Sequence, residues 1–189
     1  SPLFLIIAVL VKVDSPGPIF YKGVRTGKDG INFHMLKFRS MFVGQEKAGG
    51  DTTSLKDPRV TSIGSYLRKY KIDELPQLIN ILKGDMSLVG PRPELPAYTD
   101  RYSEDERKIL SVRPGITDYS SIEFRNLADM VGDEDPDRVF EENILPRKNQ
   151  LRLEYVKNHS FLEDLRILAR TIFVVLADKD IGRRPSGRS

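Results

Sequence analysis

The sequence predicts a mainly helical α+β fold with a small β-hairpin near the N-terminus and helices that lie in or on a membrane surface. Three observations support this prediction. They are an uninterrupted apolar run at residues 3–11, an alternating pattern on either side of a glycine-containing turn at 27–30, and apolar residues at helical spacing from Asp57 onward. With 189 residues the chain can bury a core, and no linker marks a second domain.

The apolar run at residues 3–11 is too short to span a membrane. Its helical rise of roughly 13 Å is less than half of a bilayer core of about 30 Å. Because Ser1-Pro2 is a helix-breaking pair, residues 1–13 are predicted to be the second half of a re-entrant membrane helix. A single catalytic domain with interfacial helices is then expected over residues 14–189. A buried core helix is the alternative reading of the apolar run.

A second membrane-seeking segment lies near the other end of the chain. Residues 163–177 predict an apolar helix on which Arg166 and Arg170 stack at i, i+4. A basic stripe on an otherwise apolar helix is typical of an interfacial location. Two such elements at opposite ends favour a monotopic membrane protein.

Composition excludes several kinds of chemistry. The chain has no cysteine, and its two histidines, His34 and His159, are far apart in sequence. Thiol nucleophiles, thiolate zinc sites and histidine metal clusters are therefore excluded or improbable. Any chemistry must rest on carboxylates, Lys, Arg and an oxygen-liganded metal. The basic ends of the chain enclose an acidic middle, which suits an anionic membrane or a polyphosphate ligand, although a solvated charge mosaic would look the same.

The predicted hairpin presents two cations. Residues 19–25 and 31–39 form its arms, and Lys37 and Arg39 are two positions apart on the second arm. Side chains alternate along a strand, so both cations are expected on one face.

Asp73 and Glu74 are the main candidate catalytic residues. They are adjacent carboxylates in the stretch Lys71–Gln77, between two helical patterns. Adjacent carboxylates repel, and proteins hold them together mostly to bind a metal or to do chemistry. Asp73 is predicted to be the N-cap of a helix through Leu82, where the helix dipole would stabilise its ionised form. An ordinary helix start is the simpler explanation of the same residues.

Two further cations lie on rigid loops. Arg92 is flanked by Pro91 and Pro93, and Arg113 is followed by Pro-Gly. A stiff backbone fixes where a guanidinium points and reduces the ordering entropy lost on binding phosphate. Each motif is weak alone, but together with the carboxylate pair they suggest a phosphate-handling site.

These motifs, taken in order along the chain, closely resemble the bacterial sugar transferase family. The family comprises small monotopic polyprenyl-phosphate phosphoglycosyl-1-phosphate transferases. The resemblance covers roughly residues 1–180. It is carried by Asp14–Pro18, Lys37–Met41, Asp57–Val60, Ile72–Gln77, Lys83–Glu94 and Arg113–Thr117.

The resemblance implies a specific reaction. A UDP-sugar donates its sugar 1-phosphate to a polyprenol phosphate in the membrane, giving a polyprenyl-diphosphate sugar and UMP. Asp73 would be the nucleophile of a covalent phosphosugar intermediate, and Mg²⁺ is expected near Asp73 and Glu74. Glu74 would hold the metal or orient Asp73. Lys37, Arg39, Arg92 and Arg113 are the candidate phosphate-binding cations.

The resemblance also implies a monotopic protein on the cytoplasmic face of the cell membrane, with membrane lipid as a partner. A different class of function, a non-catalytic module that binds anionic lipid through the basic ends, remains the alternative. No nucleic-acid partner is expected, because the basic segments lack interleaved stacking aromatics. Residues 116–121 depart from the commoner glycine-rich continuation after Arg-Pro-Gly, so the donor sugar does not follow from the family.

Overall fold

The computed structural model describes residues 2–45, 50, 52–53 and 57–181. Within them the chain is mostly helical, with two small two-stranded sheets. The α-helices are α1 (Pro2–Asp14), α2 (Ser62–Lys69), α3 (Gln77–Lys83), α4 (Pro96–Thr99), α5 (Tyr119–Glu123), α6 (Leu127–Val131), α7 (Pro136–Val139), α8 (Leu145–Asn158) and α9 (Phe161–Ile181). The strands are β1 (Phe20–Thr26), β2 (Asn32–Phe38), β3 (Ser87–Val89) and β4 (Gly115–Thr117). Short 3₁₀ helices at Lys28–Gly30, Ile72–Glu74 and Glu106–Ser111 and a π-helical turn at Phe140–Ile144 complete the connections. The predicted mainly helical α+β fold is confirmed.

The N-terminal hairpin is confirmed, with β1 and β2 antiparallel and Phe20 paired with Phe38. Its turn contains Asp29 and Gly30, both at positive φ (56° and 77°), a conformation that glycine and aspartate tolerate better than most residues. Met35 and Phe38 of β2 are buried. Because these positions are three apart, they lie on opposite faces of β2, so each face carries a buried side chain; Phe38 packs against α1 and α2.

Helix α1 packs on this hairpin through one side only. Ile7 and Val11 form a buried cluster with Phe38 and Leu67, where Leu67 comes from α2. The other side of α1 is apolar and exposed, and its exposed residues are Leu3, Leu5, Ile6, Val9, Leu10 and Val13. No helix in the described part of the chain is long and apolar enough to cross a bilayer.

Strands β3 and β4 form a parallel pair, which the sequence pattern does not reveal. This pair supports the loop that carries Arg92. Ser87 of β3 pairs with Gly115 of β4, and Val89 pairs with Thr117. Just after β3, a Cβ on Gly90 would lie 2.5 Å from the backbone oxygen of Arg113, so this close approach requires glycine. The two loops that carry Arg92 and Arg113 are thus held against each other.

The C-terminal helices cover this strand pair. Val89 and Ile122 form a buried cluster with Tyr155 of α8 and Ile167 of α9. The remainder of the described surface of α9 includes exposed apolar side chains, namely Phe161, Leu162, Leu165, Ile172, Phe173 and Val175. The predicted helix over 163–177 is confirmed, and Arg166 and Arg170 are both exposed on it.

Candidate active site

The turn that carries Asp73 and Glu74 differs from the predicted helix start. Lys71 adopts a left-handed conformation (φ 57°, ψ 20°) that ends the α2 segment, and Ile72–Glu74 then form a 3₁₀ helix. The N-cap of α3 is Pro76. The prediction that Asp73 caps this helix is wrong.

The reason is local and chemical. An N-cap carboxylate accepts a hydrogen bond from the backbone N–H two or three residues later. Three residues after Asp73 stands Pro76, which has no N–H. Two residues after it stands Leu75, whose N–H already donates to the backbone oxygen of Ile72 at 3.2 Å. Asp73 therefore has no backbone donor to cap.

Glu74 is held between two cations from separate parts of the chain. Its Oε1 accepts hydrogen bonds from Lys37 Nζ at 3.0 Å and from Arg92 Nη2 at 2.5 Å. Burial by itself would raise the pKa of Glu74, but Arg92 and Lys37 outweigh burial and hold that pKa well below its ordinary value. Glu74 is thus ionised at neutral pH. Together with Asp73 it forms a carboxylate dyad on the turn Ile72–Glu74, and its hydrogen bonds join that turn to β2 and to the loop after β3.

Arg92 is fixed by more than Glu74. Its Nη1 donates to the backbone oxygen of Ile116 at 3.0 Å, and its backbone N–H donates to Asp118 Oδ2 at 3.3 Å. Asp118 is fully buried and caps α5 by accepting from the N–H of Ser121. Residues 116–121 therefore support the Arg92 loop directly.

Asp73 contrasts with its neighbour. It is 4% exposed, and its Oδ1 has no hydrogen-bond partner within the described structure. Burial raises the pKa of Asp73; Lys37 opposes this rise and the adjacent Glu74 adds to it. A buried acceptor without a partner costs about 1–3 kcal/mol, so this oxygen is maintained at the expense of stability. Such a cost is typical of functional sites.

The structure brings Lys37 and Arg92 to the dyad but takes Arg39 elsewhere. Strand β2 ends at Phe38, and the guanidinium of Arg39 is buried against the end of α1. It donates to the hydroxyl of Ser15 and to the backbone oxygens of Ser15 (2.7 Å), Pro18 (2.6 Å) and Val11 (3.2 Å). A cation at the carbonyl end of a helix is favourable, so these contacts anchor α1 to the hairpin.

The backbone of Arg113 packs closely against Gly90, just before Arg92 in the chain. The Arg113 side chain is exposed and makes no hydrogen bond or ion pair with the described residues. The structure does not join it to the dyad.

Arg68 is a further cation that the sequence motifs did not single out. It lies in the last turn of α2, half-buried, and makes no hydrogen bond to a carboxylate in the described part of the chain. Burial lowers the pKa of Arg68, while attraction to Asp73 opposes that shift. With Lys37, Lys71 and Arg92, four cations act on the two carboxylates of the dyad. The surplus of positive charge suits a diphosphate.

The donor set around the dyad fits Mg²⁺ in a limited way. Among the described residues, no three acidic or histidine side chains are grouped as a metal site. Mg²⁺, however, is commonly bound by one or two carboxylates together with substrate phosphates and water. The carboxylate of Asp73, whose Oδ1 has no partner in the described structure, can supply such a ligand, whereas Oε1 of Glu74 is occupied by Lys37 and Arg92.

Comparison with known families confirms the resemblance that the motifs suggested. The profile of the family described as bacterial sugar transferase matches residues 1–178. This chain therefore belongs to the bacterial sugar transferase family.

Curated relatives point the same way. Over 179 residues the chain is 39% identical to the UDP-N-acetylgalactosamine-undecaprenyl-phosphate N-acetylgalactosaminephosphotransferase of Aeromonas hydrophila, covering 93% of this chain and 40% of the relative. Over 183 residues it is 36% identical to the UDP-glucose:undecaprenyl-phosphate glucose-1-phosphate transferase of Escherichia coli, covering 95% of this chain and 37% of the relative. It is 39% identical over 179 residues to an uncharacterized sugar transferase of Bacillus subtilis, of which it covers 79%. The chain thus spans well under half of the length of the first two.

Proposed function

We propose that this chain transfers sugar 1-phosphate from a UDP-sugar to a polyprenol phosphate, forming a polyprenyl-diphosphate sugar and UMP. Two of its relatives are named for transferring N-acetylgalactosamine phosphate or glucose 1-phosphate to undecaprenyl phosphate. The observation that carries the proposal is Asp73, a buried carboxylate with one unpartnered oxygen among four cations. This arrangement provides a nucleophile and the charge that a diphosphate needs.

The proposed reaction has two displacements. Oδ1 of Asp73 attacks the phosphorus that carries the sugar, the bond from that phosphorus to the bridging oxygen breaks, and UMP leaves with that oxygen. The phosphate of the polyprenol then attacks the same phosphorus, and the bond to Asp73 breaks. Each step forms one P–O bond and breaks one, so the carboxylate of Asp73 is regenerated.

The neighbouring residues prepare Asp73 for this step. Lys37, Arg68 and Arg92 attract negative charge and would orient the diphosphate. Glu74 holds Lys37 and Arg92 in place, so that their charge is directed rather than diffuse. Mg²⁺, if held by the Asp73 carboxylate together with the substrate, would supply Lewis-acid stabilisation of the leaving phosphate. Burial raises the pKa of Asp73, and the positive charge of Lys37 and Arg68 opposes that rise and so favours the ionised nucleophile.

A monotopic location on the cytoplasmic face of the cell membrane is part of the proposal. Its support is the exposed apolar side of α1, where Leu5 is 69% exposed and Val13 80%, and the exposed Phe161 and Phe173 of α9. Residues 1–13 would enter the lipid as half of a re-entrant helix, and residues 14–189 would form one catalytic domain at its surface. Replacing Leu5 and Phe173 together by Asn should reduce co-flotation with lipid vesicles; unchanged flotation would contradict this location.

The reaction is tested by screening UDP-sugars for UMP release in the presence of undecaprenyl phosphate and Mg²⁺. Asp73→Asn serves as the blank and exposed Asp129→Asn as the matched control. We expect release with at least one UDP-sugar in the wild type and in the control, and none in the blank. Salt-sensitive binding to anionic vesicles with no UMP from any UDP-sugar would instead support a non-catalytic lipid-binding module.

A further inference from the structure

A second cluster of buried charges lies beneath the Arg92 loop and has no part in the reaction described above. Glu94 Oε1 accepts hydrogen bonds from Lys148 Nζ at 3.0 Å and from Arg152 Nη2 at 2.6 Å, both from α8. The side chains of Glu94, Lys148 and Arg152 are 11%, 9% and 0% exposed. These groups are too deeply buried to meet a substrate.

The cluster holds the segment that carries Arg92. Glu94 follows Arg92 by two positions, with Pro93 between them, so little rotation is available to the intervening backbone. The backbone oxygen of Glu94 also accepts from the N–H of Thr26 at 3.0 Å, which joins the segment to β1. On its other side the N–H of Arg92 is held by Asp118. The loop is thus tied to the hairpin, to the start of α5 and to α8.

Net stability alone does not explain such a cluster. Buried ion pairs gain little over apolar side chains of similar volume, because desolvation offsets their attraction. Their hydrogen bonds are directional, however, and direction is what a phosphate-binding guanidinium needs.

We propose that Glu94, Lys148 and Arg152 are positioning residues that set the place of Arg92 in the active site. Helix α8 holds Glu94, and the proline-stiffened backbone from 91 to 93 carries that restraint to Arg92. The inference rests on the proposed function only in assigning the diphosphate to Arg92.

The first test does not depend on activity. It follows amide hydrogen exchange of the Arg92 N–H, which donates to Asp118, by NMR. Glu94→Gln should speed this exchange about tenfold or more, because the loop opens locally more often. Lys148→Met, which removes one cation and keeps Glu94, is the second variant should Glu94→Gln fold poorly.

The matched control is Leu151→Ala, a substitution that destabilises α8 by removing a buried apolar side chain and leaves the three charged groups of the cluster unchanged. If the cluster acts only on stability, Leu151→Ala should accelerate Arg92 exchange as much as the charge variants do at equal global stability. That result, or unchanged exchange in the charge variants, would overturn the inference.

The second test is a double-mutant cycle on kcat/KM for UDP-sugar, with Glu94→Gln and Arg92→Lys. Residues that act through each other give non-additive losses, so the double variant should lose little more than Arg92→Lys alone. Losses that multiply would overturn the inference. A wild type without UMP release would refute the proposed function instead, and the exchange comparison would then decide the role of the cluster by itself.

Discussion

Two clusters of buried charge in this protein are built from carboxylates and cations, but they differ in how the carboxylates are partnered. Around Glu94, one carboxylate meets two cations, and both hydrogen bonds are made in the interior. In the dyad, Glu74 is held by two cations in the same way. The side chains of Glu74 and of these cations, Lys37 and Arg92, are 17–23% exposed, however, and an additional carboxylate lies beside Glu74. That additional carboxylate, Asp73, keeps an oxygen without a partner.

The structural charge cluster and the reactive one thus differ in whether a buried carboxylate oxygen is left without a partner. At Glu94 the carboxylate is closed: Lys148 and Arg152 bring the pKa of Glu94 to about 2 against the opposing effect of burial. The atom of this cluster that has no partner in the described structure is a cation nitrogen, Nε of Arg152, and not a carboxylate oxygen. The dyad cluster is closed at Glu74 and open at Asp73, whose pKa is raised by burial. A free, desolvated oxygen beside fixed cations is what a nucleophile toward phosphate requires.

The largest expected effect comes from removing the open carboxylate. Asp73→Asn should lower kcat by about 10⁴-fold or more, because the nucleophile is lost. It should also raise the free energy of unfolding at pH 7 by about 1 kcal/mol, since a charge buried without a full set of partners is removed. The sign follows from the raised folded-state pKa of Asp73: its ionisation costs stability in full above that pKa, and the cost declines as pH falls from there to the ordinary value of 3.8. Turnover assays and urea unfolding measure the two effects. A variant that is both active and less stable would contradict the distinction between Asp73 and the cation-paired carboxylates.

Neutralising a carboxylate that is paired with cations, Glu94 or Glu74, should lower the free energy of unfolding, the opposite of the effect expected for Asp73. Glu94→Gln should lower the free energy of unfolding by about 3 kcal/mol, since it leaves two buried cations without a counter-charge. Glu74→Gln should cost less, about 1–2 kcal/mol, because Lys37 and Arg92 are partly exposed and water can replace the lost charge. Urea unfolding of both variants measures this order. Equal losses would show that water replaces the lost charge no better around Glu74 than around Glu94.

Acid should affect the closed cluster in a defined window. The pKa of Glu94 is about 2 when folded against an ordinary value of 4.5, so its contribution is complete above pH 4.5 and is lost as pH falls toward 2. The contribution is up to about 3 kcal/mol. Unfolding free energies of wild type and Glu94→Gln should therefore converge over that interval. A constant difference across it would mean that Glu94 is not held ionised by its partners.

The smallest effect concerns Arg68, the cation near the open carboxylate that makes no hydrogen bond to it. Arg68→Met should lower kcat/KM for UDP-sugar about tenfold, because one charge facing the diphosphate is lost. Arg68→Lys should recover part of the loss. Arg138→Met, at a site 68% exposed, serves as the matched control and should remain at wild-type activity. Equal activity of Arg68→Met and the control would remove Arg68 from the site.

Local features of the fold could be predicted from the sequence. The hairpin follows from a period of two and a glycine turn, and the terminal helices from their apolar composition. The β3–β4 pair could not be found in this way, because each strand has three residues and pairing joins positions 28 apart, Ser87 and Gly115. Long-range pairs of this kind leave no local periodic signal.

The site was predicted in its parts but not in its geometry. Lys37 and Arg92 reach Glu74, while Arg39, two positions from Lys37, turns to the end of α1 because β2 ends between them. The wrong cap assignment for Asp73 had a signal in the sequence, since Pro76 at the third following position has no N–H to donate. Arg68 had none, because its approach to Asp73 depends on the left-handed turn at Lys71.

Whether the unpartnered oxygen of Asp73 is the nucleophile can be decided in a single experiment without acceptor. The purified protein is mixed with Mg²⁺ and a UDP-sugar accepted as donor, without polyprenol phosphate, and both UMP and the intact mass of the protein are followed. We expect a burst of UMP comparable to the amount of enzyme, with a sugar-phosphate mass on the peptide that contains Asp73. UMP release that begins only after polyprenol phosphate is added, with no change in protein mass, would contradict this role of Asp73.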